Sequence, residues 1–345
     1  MTPHRYLFYA TQNYSFAILR PLQSAIRSRG GDVAWFLAGE EIDENYLQND
    51  ENRLHSVKQV NEYQPRAVFA SSNVVPYLFP GIKVELFHGF NARKRGTDPH
   101  FNIRGFFDLY CTQGPDTTHM FQQLAKQHGH FRVVETGWPK LDPMFAPHRK
   151  AKVNTKPVIL YTSTFSKNLT SAPALLETIK KLSAKGDYQW LVTFHPKMDK
   201  SIVNTYKDIQ SEHLTFIETD NVIPLLMEAD VMLSDTSSIL QEFLILNKPV
   251  VTFNNNQPVD CMIDIKTPEE LLPALEKALT RPKKLIKKIQ AYSEQLHPYY
   301  DGESSERVLD ATEWFISEGY KDLKRKPLNL LRKIKIRKRL GYSWL

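Results

Sequence analysis

The sequence lacks the short motifs of the commonest nucleotide enzymes. It has no G-x-x-x-x-G-K-[ST] loop of the ATPase type and no G-x-G-x-x-G dinucleotide fingerprint. It shows no pair of carboxylates that points to glycoside hydrolysis, and no Asp-x-Asp motif of the kind that binds metals. These absences argue against an ATPase, a dehydrogenase and a glycosidase.

Cysteines and long apolar runs are also scarce. The two cysteines, Cys111 and Cys261, have no metal-like spacing, which indicates a reducing compartment and no zinc site. No apolar run is long enough to span a bilayer, and the first residues do not read as a signal peptide. We therefore expect a cytoplasmic protein.

Basic charge is abundant, but it is concentrated at one end. The net charge is +7, and residues 321–345 alone carry ten Lys/Arg and one acidic residue. This tail is either a helix on an anionic membrane surface, a nucleic-acid arm or a disordered solubilising segment. Its interspersed leucines and isoleucines and its terminal aromatics favour the membrane surface.

Strand and helix patterns alternate through two halves of similar length. Such alternation predicts an α/β protein with parallel sheets, built from two Rossmann-like domains that face each other across a cleft. A polar, basic segment bounded by prolines, 146–157, marks the break. We predict an N-terminal acceptor domain over 1–150 and a C-terminal nucleotide domain over 151–320, whose final helix packs back on the first. The tail is 321–345.

Residues 229–251 carry the most informative local pattern. An apolar run, 231–233, leads into the polar sequence Asp-Thr-Ser-Ser at 235–238, after which apolar residues recur at helical spacing. We predict a buried strand, a turn and a helix that begins at the hydroxyl residues. Unpaired N–H groups and the helix dipole suit such a turn to phosphate, although a plain Ser/Thr helix cap explains the same letters.

Other polar residues follow predicted strands in the same way. The carboxyl ends of parallel strands meet at one edge, where ligands bind. The residues that share this position are His88, the following Arg93, Lys94 and Arg95, then Thr164, His195, Lys197, Asp235, Thr236, Ser237 and Ser238. Each alone has an ordinary explanation as a cap, a solvated loop or a structural histidine. Together, hydroxyls, cations and imidazoles are what a pyrophosphate site requires, and we predict one here.

Six motifs in order resemble those of a known family. They are FHGFNARKRG, TGWPKLD, ILYTSTF, TFHPK, DVMLSDTSSILQEFLILNKPVV and DGESSERV. The family is that of the CDP-glycerol glycerophosphotransferases, which includes the teichoic acid primases and polymerases. The resemblance implies a GT-B fold, with the nucleotide donor bound by the C-terminal domain and the acceptor by the N-terminal domain.

The resemblance also implies an activity and residue roles. Glycerol phosphate would pass from CDP-glycerol to an acceptor hydroxyl, with release of CMP. His88 matches the family's proposed general base, and His195 matches its second histidine. Ser237 and Ser238 match the pair that holds the pyrophosphate. Glu242, one turn into the helix, is expected to reach the ribose, as acids there do in many GT-B enzymes.

Some alternatives stay open at this point. Thr236 stands where the family often has an aromatic residue, and Phe90 where it often has a small hydroxyl residue. A GT-B glycosyltransferase with a UDP-sugar or other donor, or a related epimerase, is the second interpretation. We predict no protein-bound metal site and leave Mg²⁺ open. The expected partners are CDP-glycerol, a glycan or lipid-linked acceptor and the inner face of the membrane, and we expect no nucleic acid.

Overall fold

The chain folds into two compact units. The computed structural model describes residues 3–90, 99–145, 155–219 and 221–342. Within these ranges, unit 1 consists of residues up to 88, residues 99–145 and residues 297–342, and unit 2 holds the rest. The chain thus returns to unit 1 at residue 297, whereas the sequence pattern assigned residues up to 320 to the second domain. Most of the predicted linker lies outside the described residues.

The strands and helices follow the alternation expected from the sequence. The strands are β1 (Arg5–Ala10), β2 (Asp32–Leu37), β3 (Asn52–Arg53), β4 (Ala67–Ala70), β5 (Ile82–Glu85), β6 (Leu109–Thr112), β7 (Arg132–Glu135), β8 (Val158–Ser163), β9 (Gln189–Phe194), β10 (Leu214–Phe216), β11 (Val231–Ser234), β12 (Val250–Phe253) and β13 (Ile263–Ile265). The helices are α1 (Tyr14–Ser28), α2 (Val57–Tyr63), α3 (Pro115–His128), α4 (Asp142–Phe145), α5 (Ala172–Ala184), α6 (Lys200–Asp208), α7 (Ile223–Glu228), α8 (Ile239–Leu244), α9 (Leu271–Leu279), α10 (Lys283–Leu296), α11 (Ser304–Trp314) and α12 (Leu330–Arg339).

Each unit is built on one parallel sheet. The strand order is β3-β2-β1-β4-β5-β6-β7 in unit 1 and β10-β9-β8-β11-β12-β13 in unit 2. Both are doubly wound orders, in which the chain changes direction across the sheet between β1 and β4 and between β8 and β11. Ligands of such sheets bind beyond the carboxyl ends of the strands at that change of direction. The topology therefore selects the edge where function is expected.

The cores explain why the strands read as apolar runs. In unit 2, Trp190 and Tyr161 are fully buried between the sheet and its helices, and Tyr206 of α6 packs with them. In unit 1, all residues of β4 and nearly all of β1 are buried. Strands that are covered on both faces lose the alternation of polar and apolar residues, as parallel strands do.

The described part of the basic tail belongs to unit 1. Ile336 of α12 is buried in the core of unit 1. Lys326 forms an ion pair with Asp108 at 2.7 Å, and the Asn329 amide donates to the Arg104 carbonyl oxygen at 2.8 Å. The guanidinium of Arg337 donates to the Tyr77 hydroxyl. Residues 321–342 are therefore a packed element rather than a disordered segment, and none of the described helices is long and apolar enough to cross a bilayer.

Two of the family-like motifs meet at the start of α11. The Asp142 carboxylate accepts hydrogen bonds from the backbone N–H groups of Ser304 and Ser305 at 2.9 and 2.8 Å, and from the Ser305 hydroxyl. Gly137, at φ +79°, lies close by, and a Cβ there would approach the Ser304 Oγ to 2.5 Å. The serines of the DGESSERV motif thus start a helix that is capped by a side chain of the protein itself.

Asp142→Ala is expected to lower the free energy of unfolding by about 2–4 kcal/mol, because it leaves buried N–H groups of α11 without an acceptor. Asp142→Asn, which keeps one acceptor oxygen, should lose less. Urea unfolding measures both, with the exposed Glu318→Ala as the control. An Asp142→Ala variant as stable as the control would contradict the capping role.

Candidate functional site

A buried carboxylate organises the predicted phosphate edge of unit 2. Asp235, directly after β11, is fully buried. It accepts hydrogen bonds from the Thr164 N–H, the Ser171 N–H and the Ser171 hydroxyl, each at 2.9 Å, and from the Ser163 hydroxyl. Burial raises the pKa of Asp235, and these hydrogen bonds oppose the rise. The carboxylate therefore joins the end of β8 and the start of α5 to β11.

This geometry corrects one expectation from the sequence. Asp235 was predicted among the donor-binding residues, but its side chain is enclosed by protein and its hydrogen bonds go to protein groups. It supports the turn that carries Thr236 and Ser237 instead of facing a ligand itself. A buried carboxylate that is satisfied by several donors is a strong structural element.

His195 follows β9 at the same edge, two strands from β11 and next to β8 in the sheet. Ser163 of β8 pairs with Phe194 of β9, so Thr164 and His195 follow neighbouring strand ends. The Lys197 N–H donates to His195 Nδ1 at 3.0 Å, and the ring packs on Phe165 at a centroid distance of 4.6 Å. With Nδ1 as the acceptor of this hydrogen bond, a neutral ring carries its proton on Nε2 and can donate there. Lys197 is exposed beside it.

A pocket opens beside the Asp-Thr-Ser-Ser turn. It lies within unit 2 and is partly open to solvent. Its polar lining residues are Thr236, Ser237, Gln241, Asn255, Asn256, Gln257 and Tyr292. Two of these were predicted, and the other five come from α8, α10 and the segment after β12. The sequence NNNQ directly after β12 could have indicated part of this lining, because side-chain amides at the carboxyl end of a strand can form hydrogen bonds with a nucleobase.

The predicted hydroxyl residues have different environments. The Thr236 hydroxyl accepts the Asn256 N–H at 3.2 Å, which links the turn to the amide segment. Ser238 precedes α8, but among the described residues no N–H of this helix donates a hydrogen bond to its hydroxyl. A plain helix cap therefore does not explain Ser238. Glu242 is buried and is not among the residues that line the pocket, whereas its neighbour Gln241 is.

In unit 1, His88 follows β5 at the corresponding edge. Its ring stacks on Tyr14 with a centroid distance of 5.7 Å. The ring also forms a hydrogen bond with the Ser71 backbone, at the end of the neighbouring strand β4. The side chain keeps access to solvent, but partial desolvation lowers its pKa, and Arg104 acts in the same direction. The neutral imidazole, which can accept a proton, is therefore favoured.

The remaining predictions have limited or no structural description. Arg93, Lys94 and Arg95 lie outside the described residues. Cys111 and Cys261 are buried free thiols. Within the parts of the chain that the structure describes, no group of three or more His, Cys, Asp or Glu residues is arranged to hold a metal ion. Each unit thus presents one candidate site at the carboxyl edge of its sheet.

Part of the chain is similar in sequence to proteins of known function. The family described as CDP-Glycerol:Poly(glycerophosphate) glycerophosphotransferase matches residues 94–260. The teichoic acid glycerol-phosphate primase of Bacillus subtilis is 26% identical over 207 residues, which cover 54% of this chain and 52% of the primase. The chain thus spans about half the length of this curated relative.

The solved structures support the fold. The wall teichoic acid polymerase TagF superimposes with a TM-score of 0.67 at 16% identity, over 93% of this chain and 91% of that one. A UDP-N-acetylglucosamine 2-epimerase superimposes with a TM-score of 0.63 at 15% identity, over 95% and 99%. Two parallel-sheet α/β units, as found here, are the components of the GT-B fold. These structures show the fold, and the family match over residues 94–260 supports the resemblance to the CDP-glycerol glycerophosphotransferases seen in the sequence.

Proposed function

We propose that this chain is a transferase that moves glycerol phosphate, or a related alditol phosphate, from CDP-glycerol to an acceptor hydroxyl and releases CMP. The observation that carries the proposal is the pocket of unit 2, where hydroxyl, amide and aromatic side chains meet at the carboxyl edge of a parallel sheet. The similarity to a glycerol-phosphate primase supports the choice of the transferred group. The acceptor is proposed to be a glycan or a lipid-linked glycan.

The lining of the pocket suits a cytidine nucleotide. Asn256 and Gln257 are exposed and each offers an amide donor and an amide acceptor, which complement the amino group and carbonyl of cytosine. The Tyr292 ring can pack against a base. We assign this side of the pocket to the nucleoside.

The pyrophosphate is assigned to the turn before α8 and its neighbours. Ser237 and Ser238 provide hydroxyl donors there, and the His195 Nε2–H and the Lys197 ammonium lie at the edge formed by the adjacent strands. Thr164 belongs to the loop that Asp235 holds in place. Donors that are fixed before the reaction stabilise the charge that develops on phosphoryl oxygens.

His88 is proposed as the general base of the transfer. It removes the proton from the acceptor hydroxyl as the oxygen attacks the β-phosphorus of CDP-glycerol. The new O–P bond forms while the bond from that phosphorus to the bridging oxygen breaks, and CMP leaves with the bridging oxygen. The hydrogen bond with the Ser71 backbone and the stacking on Tyr14 orient the imidazole for this step.

The basic tail is proposed to place the protein at the inner face of the membrane. Ile336 and Arg337 of α12 contact unit 1, so the opposite side of this helix is directed outward. Apolar side chains are exposed there and just before it: Leu328, Leu330, Leu331 and Ile334. Arg332, Lys335, Lys338 and Arg339 flank them. Exposed apolar residues among basic ones suit an anionic lipid surface.

The donor is tested by calorimetric titration of the chain with CDP-glycerol, CDP-ribitol, CMP and UDP-sugars. We expect CDP-glycerol and CMP to bind, and Ser237→Ala or Ser238→Ala to weaken CDP-glycerol about five- to tenfold through the loss of a phosphate donor. Ser211→Ala, in a turn that does not line the pocket, is the control. Tighter binding of a UDP-sugar than of CMP would contradict the proposal and favour a sugar-nucleotide enzyme.

The base is tested by the pH dependence of CMP release, with a short glycerol phosphate oligomer as acceptor. Protonation disables the base, and the lowered pKa of His88 places the loss of kcat/KM below pH 6.5. His88→Gln should reduce kcat/KM by about 10²–10⁴ and remove this acidic limb. The exposed His119→Gln is the matched control. An unchanged limb in His88→Gln would assign the titration to another group.

The tail is tested by cosedimentation with vesicles that contain phosphatidylglycerol. Replacing Leu330, Leu331 and Ile334 by serine should weaken binding by about tenfold or more, because apolar contact with lipid is lost. The free energy of unfolding should change little, since these side chains are exposed. Met120→Ser, an exposed apolar position on α3, is the control. Salt-sensitive binding to DNA without vesicle binding would overturn the membrane proposal.

A further inference from the structure

Unit 2 carries a concentrated run of basic residues that the proposed mechanism does not use. Residues 277–288 contain six Lys/Arg and no acidic residue. Four of the six are lysines at the start of α10: Lys283, Lys284, Lys287 and Lys288. Lys283, Lys284 and Lys287 are exposed, and within the part of the chain that the structure describes none of them forms an ion pair. Their charge therefore faces solvent and whatever binds nearby.

These lysines lie where an α-helix favours acidic residues. The N-terminal end of a helix carries a partial positive charge, so it stabilises carboxylates and disfavours lysines. The first turn of α10 contains no acidic residue. Lys283 and Lys287, like Lys284 and Lys288, are pairs of like charge four residues apart, which destabilise a helix further. Because sequences depart from local preferences chiefly at functional sites, this arrangement indicates a role other than stability.

The same helix contributes to the candidate donor pocket. Tyr292 lines the pocket, and its hydroxyl accepts a hydrogen bond from the Gln241 amide at 3.3 Å. The Ser293 hydroxyl donates to the Leu244 carbonyl oxygen at 2.8 Å. These two hydrogen bonds hold α10 against α8, which directly follows the Asp-Thr-Ser-Ser turn. The position of α10 is therefore fixed relative to the proposed pyrophosphate site.

The lysines lead along α10 to this pocket. Lys284, Lys288 and Tyr292 are spaced four residues apart, and residues at this spacing are neighbours on the surface of a helix. Lys288 forms an ion pair with Asp260 at 2.9 Å, and Asp260 directly follows Val259 of the pocket lining. At 1.5 Å per residue, Lys284 lies about 12 Å from Tyr292 along the helix axis. Positive charge thus extends from the edge of the pocket to the start of the helix.

The chemistry of lysine indicates what this surface does. The lysine ammonium group is a strongly hydrated point charge on a flexible stem, so it attracts anions without the fixed bidentate geometry of arginine. Charge of one sign beside a binding site raises the local concentration of ligands of the opposite sign and their association rate. The ligand class that fits is a small anion whose neutral part enters the pocket, as in a nucleotide.

We propose that Lys283, Lys284, Lys287 and Lys288 form a basic approach surface that attracts the phosphate groups of the donor to the pocket of unit 2. The surface increases the affinity for an anionic nucleotide through long-range attraction, and it does not contact the reacting atoms. That the ligand is a cytidine nucleotide rests on the proposed function.

The Kd of CMP for the full chain, measured by calorimetry at two salt concentrations, tests this inference. The Debye length is about 30 Å at ~0.01 M salt and about 3 Å at ~1 M salt. At the lower concentration, we expect the combined substitutions Lys283→Gln, Lys284→Gln and Lys287→Gln to raise the Kd about three- to tenfold. At the higher concentration, the variant and the wild-type chain should agree. An unchanged Kd at low salt would overturn the proposal.

Helix α5 provides a matched control within the same unit. Lys180, Lys181 and Lys185 are exposed and do not line the pocket, and their replacement by glutamine removes the same charge. The Kd of this variant should stay within about twofold of the wild type at low salt. Cytidine, which has no phosphate, should bind both variants as it binds the wild-type chain. A loss of cytidine affinity in the α10 variant would show a change in the pocket itself and contradict the electrostatic role.

Single substitutions of Lys284 separate its charge from its packing. At low salt, Lys284→Arg should keep the affinity for CMP, Lys284→Gln should lower it, and Lys284→Glu should lower it further because a carboxylate repels phosphate. Urea unfolding should show Lys284→Glu to be at least as stable as the wild type, since the helix dipole favours an acid there. An affinity that does not follow the sign of the charge would contradict the proposal.

The same measurements distinguish this inference from the proposed function. If CMP binds the wild-type chain and the α10 and α5 variants agree at low salt, the approach surface is wrong while the donor site stands. If the wild-type chain binds no cytidine nucleotide, the proposed function fails and this inference fails with it. Binding to phosphatidylglycerol vesicles that is lost in the α10 variant, with the Kd of CMP unchanged, would assign the lysines to a membrane surface instead.

Discussion

The hydrogen bonds to the buried Asp235 carboxylate determine the shape of the candidate site in unit 2. The Asp235 carboxylate, directly after β11, accepts hydrogen bonds from the end of β8 and from Ser171, the residue before α5. The carbonyl of the same residue accepts the Asn255 amide at 3.1 Å, so the segment after β12 is joined as well. Three strand ends are thereby joined through one residue. Thr236, Ser237 and Asn255 of the pocket lining belong to two of these segments, so this part of the pocket depends on the arrangement.

In unit 1 a buried carboxylate also joins distant segments of the chain, but it fixes the start of a helix instead of a candidate site. Asp142 fixes the start of α11, and the His297 Nε2 accepts the Trp138 N–H at 3.0 Å. Burial lowers the pKa of His297 to about 4, so this imidazole is neutral at physiological pH and serves as an acceptor. These contacts attach residues after 297 to the middle of unit 1. The family-like motifs at 137–142 and 301–308 therefore contact each other, and this contact gives both of them a structural role.

The fold and the edge that carries the sites were predictable from sequence, and most of the lining residues were not. Apolar runs that end in polar residues identify parallel strands and their carboxyl ends, which is how His88, His195 and Ser237 were selected as candidates. The pattern does not reveal whether a strand-end side chain turns inward, and Asp235 turns inward while Ser237 faces the pocket. Tyr292 comes to the pocket through tertiary packing of α10, which leaves no local signal. Short edge strands such as β3 and β13 are too brief to show periodicity.

The apolar residues of the tail did not fall on one helix face in the sequence, because they serve two purposes. Ile336 fills the core of unit 1, whereas Leu331 is 78% exposed. On the way to α12, Lys326 and Asn329 donate to the carbonyl oxygens of Phe106 and Arg104, so the tail supports the segment that carries Arg104. Truncation at residue 320 would therefore remove the hydrogen bonds that support this segment, together with the basic charge of the tail. If a shortened chain lost activity, the cause could be this loss of support or a lost attachment to lipid. Substitutions on the outward side of α12 separate the two effects, because they leave the contacts with unit 1 in place.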